Sequence, residues 1–518
     1  MHRLAAPLLA AACAALWLLA GPRTPDLAAQ VFRTGLFEDH GYTLFNTLWF
    51  GGHHTPGYSL TFPPLAALLG PRVVGAIAAV VSAALFARLA HDHFGERAWL
   101  GSLWFAAATA ADLLIGRLTF ALGVAFGLGA LLALARRRTA LAAALAVGTT
   151  ASSPVAGLFL AMGGVAHGAA TRRPAGLYLA GAAFAPALLL AVAFPEGGTQ
   201  PFGLWSALCV VAAAVAVWRL LPAEERTLRA AALLYAASTV AAFAISSPMG
   251  SNATRLAAAF AGPLLACALL GRARPLVLAA VALPLLVYQW WGPVREVRKG
   301  AADPSSKLAY YEPLLDFLEP RAGIDSRVEV PFTRLHWESV HVARRFPLAR
   351  GWEAQLDREH NTLFAPGTRL DPRRYREWLR EHAVRYVALP DVALDPVGRN
   401  EGELIRERRP GYLRPVWSNE DWQVFAVAGA TSVVEGARLR ELEPDAFALD
   451  APRAGALLVR VRWTPYWEVV EGAACVERAG DWTRLRVERP GAIRVAARFD
   501  PIRIVDRDPA CREVGARR

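Results

Sequence analysis

Apolar residues in this chain are segregated. From Leu4 to Trp291 the sequence is a succession of Ala-, Leu- and Val-rich runs, and from Gly292 onward no such run recurs. A helix needs about 20 predominantly apolar residues to cross a bilayer, where its backbone polar groups must be satisfied internally. The fold class expected is therefore a polytopic α-helical membrane protein over residues 1–291, followed by a soluble region. With 54% hydrophobic residues over 518 positions, the chain is too apolar to be wholly soluble.

About eleven transmembrane helices are predicted, over 4–21, 72–90, 98–115, 118–135, 140–153, 155–171, 175–194, 204–221, 230–246, 256–271 and 275–291. The opening segment has the basic start and apolar core of a signal peptide. More spans follow it and its cleavage pattern is poor, so a retained first helix is expected. Phe62–Gly70, with Pro63 and Pro64 at its start, is too short to span and reads as interfacial or re-entrant.

Arginines set the sides. With the N-terminus cytoplasmic, the inner connections hold Arg3, Arg88, Arg97, Arg136, Arg137, Arg138, Arg172, Arg173, Arg219, Arg226, Arg229, Arg272 and Arg274. The opposite side holds only Arg23, Arg33, Arg72, Arg117 and Arg255. Short cytoplasmic loops accumulate Arg and Lys, so the bias fixes an orientation. An odd number of spans then places the outer loop 22–71 and everything after Trp291 outside the cytoplasm. Tyr288, Trp290 and Trp291 close the last helix as an interfacial anchor would. The basic excess lies in the membrane part and reads as topology. No basic–aromatic module points to nucleic acid.

The soluble region divides into residues 292–430, an α/β domain, and 431–518, a β-sandwich-like domain. RVEVPF (327–332) and RYVALP (385–390) read as buried strands, YREWLREH (375–382) as a helix, and LRPVWSNEDWQVFAV (413–427) as a hairpin. Beyond 431 the alternation of apolar and polar residues is that of strands. Cys475 and Cys511 are disulfide candidates if this region is extracytoplasmic. No cysteine has metal-ligand spacing, and no metal site is predicted.

Charged groups at membrane depth need a reason. Asp112 and Arg117 fall at the outer end of the third span and the turn after it. Asp26 follows the first helix, and Arg255, with Asn252, begins the tenth. These come from distant places in the sequence and are assigned to one level of the membrane. Arginine suits phosphate, because its planar fork donates two parallel hydrogen bonds, while a carboxylate beside it can deprotonate a hydroxyl. Mutual pairing of Asp112 with Arg117, and snorkelling of Arg255 to headgroups, is the plainer alternative.

In the outer loop, Asp26 is the best-placed base, because the adjacent helix end fixes its backbone. Glu38 and Asp39 form an acidic pair after a predicted short helix (27–37). His53 and His54 follow Gly51-Gly52 and are candidates to contact sugar hydroxyls or phosphate. Trp49, Phe50 and Tyr58 fit sugar stacking or an interfacial belt. In the outer domain, Trp352, Glu353, Asp357 and His360 of GWEAQLDREH form a dense polar group that more often means a folded surface element.

The first helix, the outer loop opening with Asp in PDLAAQ and containing WFGG and FPP, the many short Ala-rich spans and the outer domain together resemble the GT-C class of membrane glycosyltransferases. GRLTF (116–120), SSPVAGLFL (152–160) and SPMGSNATR (247–255) have the look of family landmarks. The resemblance implies transfer of a sugar from a polyprenyl-phosphate donor to a cell-envelope glycan, lipid or protein at the outer face. It implies a catalytic carboxylate in the first outer loop, by match Asp26, with Glu38 and Asp39 as rivals. Related sequences often carry His four residues after that Asp, where this chain has Gln30. Arg117, Arg255 and Asn252 are the expected donor-phosphate ligands, with His53, His54, Trp49 and Asp112 around the substrate. No cofactor is required, and a divalent metal is compatible with the chemistry. The expected partners are the lipid-linked sugar donor, an envelope glycan or glycolipid acceptor and membrane lipid. Two other classes stay open: a transporter or flippase of lipid-linked sugars, and a non-catalytic envelope assembly protein working through its C-terminal domain.

Overall fold

The computed structural model describes residues 2–507 and 511. Met1, the Arg3 side chain, and residues 508–510 and 512–518 at the end of the predicted 431–518 region lie outside the described residues. The chain forms two compact units. One comprises Met1–Glu38, Gly57–Ala191 and Gly197–Ala302, and the other Asp39–Pro56, Val192–Glu196 and Asp303–Arg518.

The first unit is helical: α1 (His2–Ala20), α2 (Pro25–His40), α3 (Phe62–Leu69), α4 (Pro71–Phe94), α5 (Ala98–Ile115), α6 (Leu118–Ala135), α7 (Thr139–Ser152), α8 (Pro154–Thr171), α9 (Pro174–Ala193), α10 (Leu204–Leu220), α11 (Arg226–Ala244), α12 (Thr254–Leu269) and α13 (Pro275–Gly300). Prolines head several of them, where the missing N–H has no partner to lose. Ser153 caps α8 by accepting a hydrogen bond from the Ala156 amide at 3.4 Å, and so splits α7 from α8. Small residues let backbones approach. A Cβ on Gly164 would lie 2.7 Å from the Gly176 carbonyl oxygen, so α8 and α9 meet backbone to backbone.

Among the described residues, seven helical runs are long and apolar enough to cross a membrane, or up to eight if the bent α1–α2 pair is one span. The first run, Pro71–Ile115, contains both α4 and α5. They fold back on each other: Phe86 stacks on Phe105 with ring centroids 4.2 Å apart, whereas straight helix would separate them by about 28 Å. α7 and α10 are shorter. Helix α13 leaves Leu276 84%, Leu283 66% and Trp291 69% exposed. An apolar surface of that kind suits lipid rather than water.

The second unit carries three sheets. β1 (Arg327–Glu329), β2 (Val384–Pro390), β3 (Leu413–Ser418) and β4 (Trp422–Val427) form the first, in the order β1-β2-β4-β3. β1 and β2 are parallel, and the other pairs are antiparallel. Around it lie α14 (Leu308–Leu318), α15 (Glu338–His341), α16 (Ala354–His360), α17 (Pro372–Glu381) and α18 (Pro396–Glu403). The β3–β4 turn is made by Asn419, whose side-chain oxygen accepts from the Asp421 and Trp422 amides. β5 (Arg438–Glu443), β6 (Ala446–Ala451), β8 (Trp467–Glu471) and β11 (Gly491–Ala497) form a second sheet, ordered β5-β6-β11-β8. β7 (Gly455–Arg462), β9 (Ala474–Ala479) and β10 (Trp482–Val487) form a third, ordered β7-β10-β9. Phe447 and Val495 of one and Val459 and Leu485 of the other share a single core, as in a sandwich. A disulfide joins Cys475 on β9 to Cys511.

Three features differ from the sequence reading. The helix expected over 27–37 runs from Pro25 to His40. The outer loop 22–71 is divided, since residues 39–56 belong to the second unit, where Phe45 joins the sandwich core. The reason is burial: Phe45, Trp49 and Phe50 are each no more than 1% exposed. The helical unit also extends past 291, to Ala302, because α13 continues to Gly300.

Candidate functional site

Four charged groups from four helices of the first unit gather at the ends of those helices. Asp26 lies in the first turn of α2, where the helix dipole favours an anion. The turn is pinned from two directions. Thr24 donates its hydroxyl to the Ile115 carbonyl at 2.8 Å. Gly116, in the left-handed region at φ +92°, comes so close that a Cβ there would sit 2.5 Å from the Leu27 nitrogen. Only glycine fits both requirements. The next residue, Arg117, ends up with Nε 3.5 Å from Asp26 Oδ2, both side chains partly exposed.

Asp112, one turn earlier on α5, accepts through its backbone carbonyl from the Gly116 and Arg117 amides at 3.0 and 2.9 Å. Its side chain lies within electrostatic reach of Arg117, Arg255 and Asp26. Arg255, in the first turn of α12, lies within electrostatic reach of Arg117, Asp26, Asp112 and Tyr58. It also donates to Asn252 Oδ1 at 2.6 Å. Gln30 donates to the Tyr58 hydroxyl at 2.6 Å, and the Arg33 guanidinium sits 3.7 Å from the Tyr58 ring centroid. The Nε atom of Arg255 is buried with no hydrogen-bond acceptor among the described residues, while that of Arg117 faces the Asp26 carboxylate at 3.5 Å. A buried donor like that of Arg255 calls for an acceptor.

An apolar cavity of about 230 Å³ adjoins Arg255, lined by Phe120, Val124, Leu128, Phe159, Tyr235 and Phe260 among others. Phe120 belongs to both places, since the Arg255 guanidinium stands 5.4 Å from its ring centroid. A head carrying phosphate on the arginines and an apolar tail in the cavity would satisfy both surfaces.

The other candidates belong to the far end of α2 or to the second unit. Glu38 is exposed, and twelve residues of helix carry it about 18 Å from Asp26. Asp39, in the second unit, pairs with Arg344 at 3.7 Å. Trp49, His53 and His54, expected around the substrate, are buried inside the second unit. Trp49 donates to the Ser339 carbonyl at 3.1 Å and stacks on His53. His54 pairs through Nδ1 with Glu196 at 2.5 Å and through Nε2 with the Thr464 hydroxyl at 2.9 Å. Among the described residues no three His, Cys, Asp or Glu side chains are placed to hold a metal ion.

Two buried ionic groups in the second unit escaped the sequence reading. Arg350 is held bidentately by Asp357 at 2.8 and 2.7 Å, with Glu401 at 3.4 Å and Glu329 at 3.8 Å. Phe332 and Phe364 cover its guanidinium, at 4.0 and 4.1 Å to the ring centroids. Burial, opposed by Arg350, pushes the Glu329 and Glu401 carboxyls above the usual range. His336, at φ +59°, stacks on Trp352 at 3.4 Å with Glu338 and Asp395 each 3.6 Å from a ring nitrogen. Burial lowers its pKa, but the two carboxylates beside the ring outweigh that and raise it to about 9. Only the density of polar residues in GWEAQLDREH, which supplies Trp352 and Asp357, hinted at either group. No protein-family model matches this chain, and no curated protein is significantly similar to it.

Proposed function

We propose that this chain is a GT-C-like membrane glycosyltransferase, moving a sugar from a polyprenyl-phosphate donor to an envelope glycan, lipid or protein. The observation that carries the reading is the convergence of Asp26, Asp112, Arg117 and Arg255 beside an apolar cavity. Arg117 and Arg255 hold the donor phosphate, and as the sugar–phosphate bond breaks they stabilise the charge left on the leaving oxygen. Asn252 fixes Arg255 by accepting from it. Asp26 takes the proton of the acceptor hydroxyl as that oxygen attacks the anomeric carbon. Its pairing with Arg117 yields when phosphate arrives. The cavity takes the first part of the isoprenoid chain.

Eleven spans with a cytoplasmic N-terminus agree with the arginine bias, once the α4–α5 hairpin counts as two crossings and the bent α1–α2 pair and the shorter α7 and α10 are each added as one. That topology puts the second unit outside the cytoplasm, where the Cys475–Cys511 disulfide would persist.

The test is transfer of labelled sugar from polyprenyl-phosphate donors in membranes containing the Asp26→Asn protein. The rate is expected to fall by about 10²–10⁴-fold, with the amount of protein in the membrane unchanged. Full transfer by this variant contradicts the proposal.

A further inference from the structure

The second unit contains a polar groove unrelated to the charges on the helical unit. Its volume is about 560 Å³, and it is lined by Arg373, Arg376, Glu377, Arg380, Glu381, Thr431 and Arg460. Arg373, Arg376 and Arg380 stand at i, i+3 and i+7 on α17, so one face of that helix presents a row of guanidinium groups. Their rises along the helix are about 4.5 and 6 Å, on the scale of one sugar ring. Among the described residues none of the three makes a side-chain ion pair. The opposite wall is fixed: Arg460 donates to the Ser432 carbonyl at 2.8 Å and pairs with Glu435 at 3.2 Å. Thr431 ties this wall to the helix by donating its hydroxyl to the Arg380 carbonyl.

A solvated helix face would need no second wall, and here the exposed arginines line a groove with a second element opposite them. The volume falls within the roughly 300–1,000 Å³ typical of small-molecule sites. Four arginines against two glutamates make the groove cationic but mixed. A nucleic acid or an anionic membrane surface would meet repulsion from Glu377 and Glu381. A saccharide with acidic groups spaced along it can meet less, by turning those groups to the arginines and donating its hydroxyls to the glutamates. We infer that this groove binds an acidic saccharide, with Arg373, Arg376 and Arg380 reading its charges and Glu377, Glu381 and Thr431 its hydroxyls. The inference is independent of the transfer reaction, because binding here uses no residue of the helical site.

The experiment is equilibrium binding to the full-length protein in detergent, with trigalacturonate, neutral maltotriose and glycerol phosphate as probes. Trigalacturonate is expected to bind, and to bind more weakly as salt rises. The Arg376→Gln/Arg380→Gln variant, altered only at exposed positions, is expected to lose about tenfold or more in affinity. An Asp26→Asn variant is expected to bind as the wild type does. Equal binding of maltotriose, tighter binding of glycerol phosphate, or no loss in the double variant overturns the inference. So does absence of trigalacturonate binding.

Discussion

Arg350→Met is expected to destabilise the second unit by about 3–5 kcal/mol, the loss typical when one partner of a buried ion pair is removed. Methionine fills much of the space between Phe332 and Phe364. It leaves Asp357, Glu329 and Glu401, all no more than 3% exposed, without their shared cation. Amide exchange along β1 and β2 reads this locally in the full-length protein, and should speed up by about 10²–10³-fold. The effect depends on pH with a definite sign. Glu329 and Glu401 have folded pKa values above their unfolded ones. Their contribution is therefore fully present below the unfolded carboxyl pKa and lost as pH rises through the raised folded value. The deficit of the variant accordingly widens from about pH 5 to pH 8. Glu401→Gln is the control. The amide oxygen still accepts from the Tyr375 hydroxyl, now at 2.6 Å from Glu401, so this change should cost far less. Unchanged exchange in Arg350→Met would show that the cluster contributes nothing to the fold.

The second large effect is expected at Gly116. Valine there must adopt φ +92° and bring a Cβ to 2.5 Å from the Leu27 nitrogen and 2.9 Å from its Cα. Both atoms are backbone, so relief requires the start of α2 to move, and Asp26 moves with it. Transfer should fall about 10²-fold or more, the penalty of a misplacement near 1 Å. A readout free of the transfer assay is oxidative cross-linking of cysteines placed at 26 and 117. Its yield should drop sharply when Gly116 becomes valine, because disulfide geometry tolerates little displacement. Undiminished cross-linking would mean that Gly116 does not hold α2 in place.

The helices were legible in the sequence because each apolar run is long and bounded by proline, glycine or arginine. Asp26, Arg117 and Arg255 were legible for a related reason: charges are scarce between Leu4 and Trp291, so each one stands out. Their convergence rests on contacts no local pattern carries, above all the close approach of Gly116 to Leu27. The stretch 39–56 is the loop that polar and glycine residues between apolar runs suggest, but its burial in the second unit was not foreseen. Phe45, Trp49 and Phe50 were the contrary signal, since bulky aromatics so closely spaced ask for a core. The Arg350 cluster draws on β1, α16, α18 and the segment before α16, and nothing local in the sequence links them.

Binding of a polyprenyl phosphate to the purified protein tests the central claim most directly. The Arg117→Gln/Arg255→Gln variant should bind at least about tenfold more weakly than the wild type. Asp26→Asn should bind as well or better, since it removes a negative charge beside the phosphate, while losing transfer. Equal binding by the arginine variant, or loss of binding in Asp26→Asn, would contradict the account.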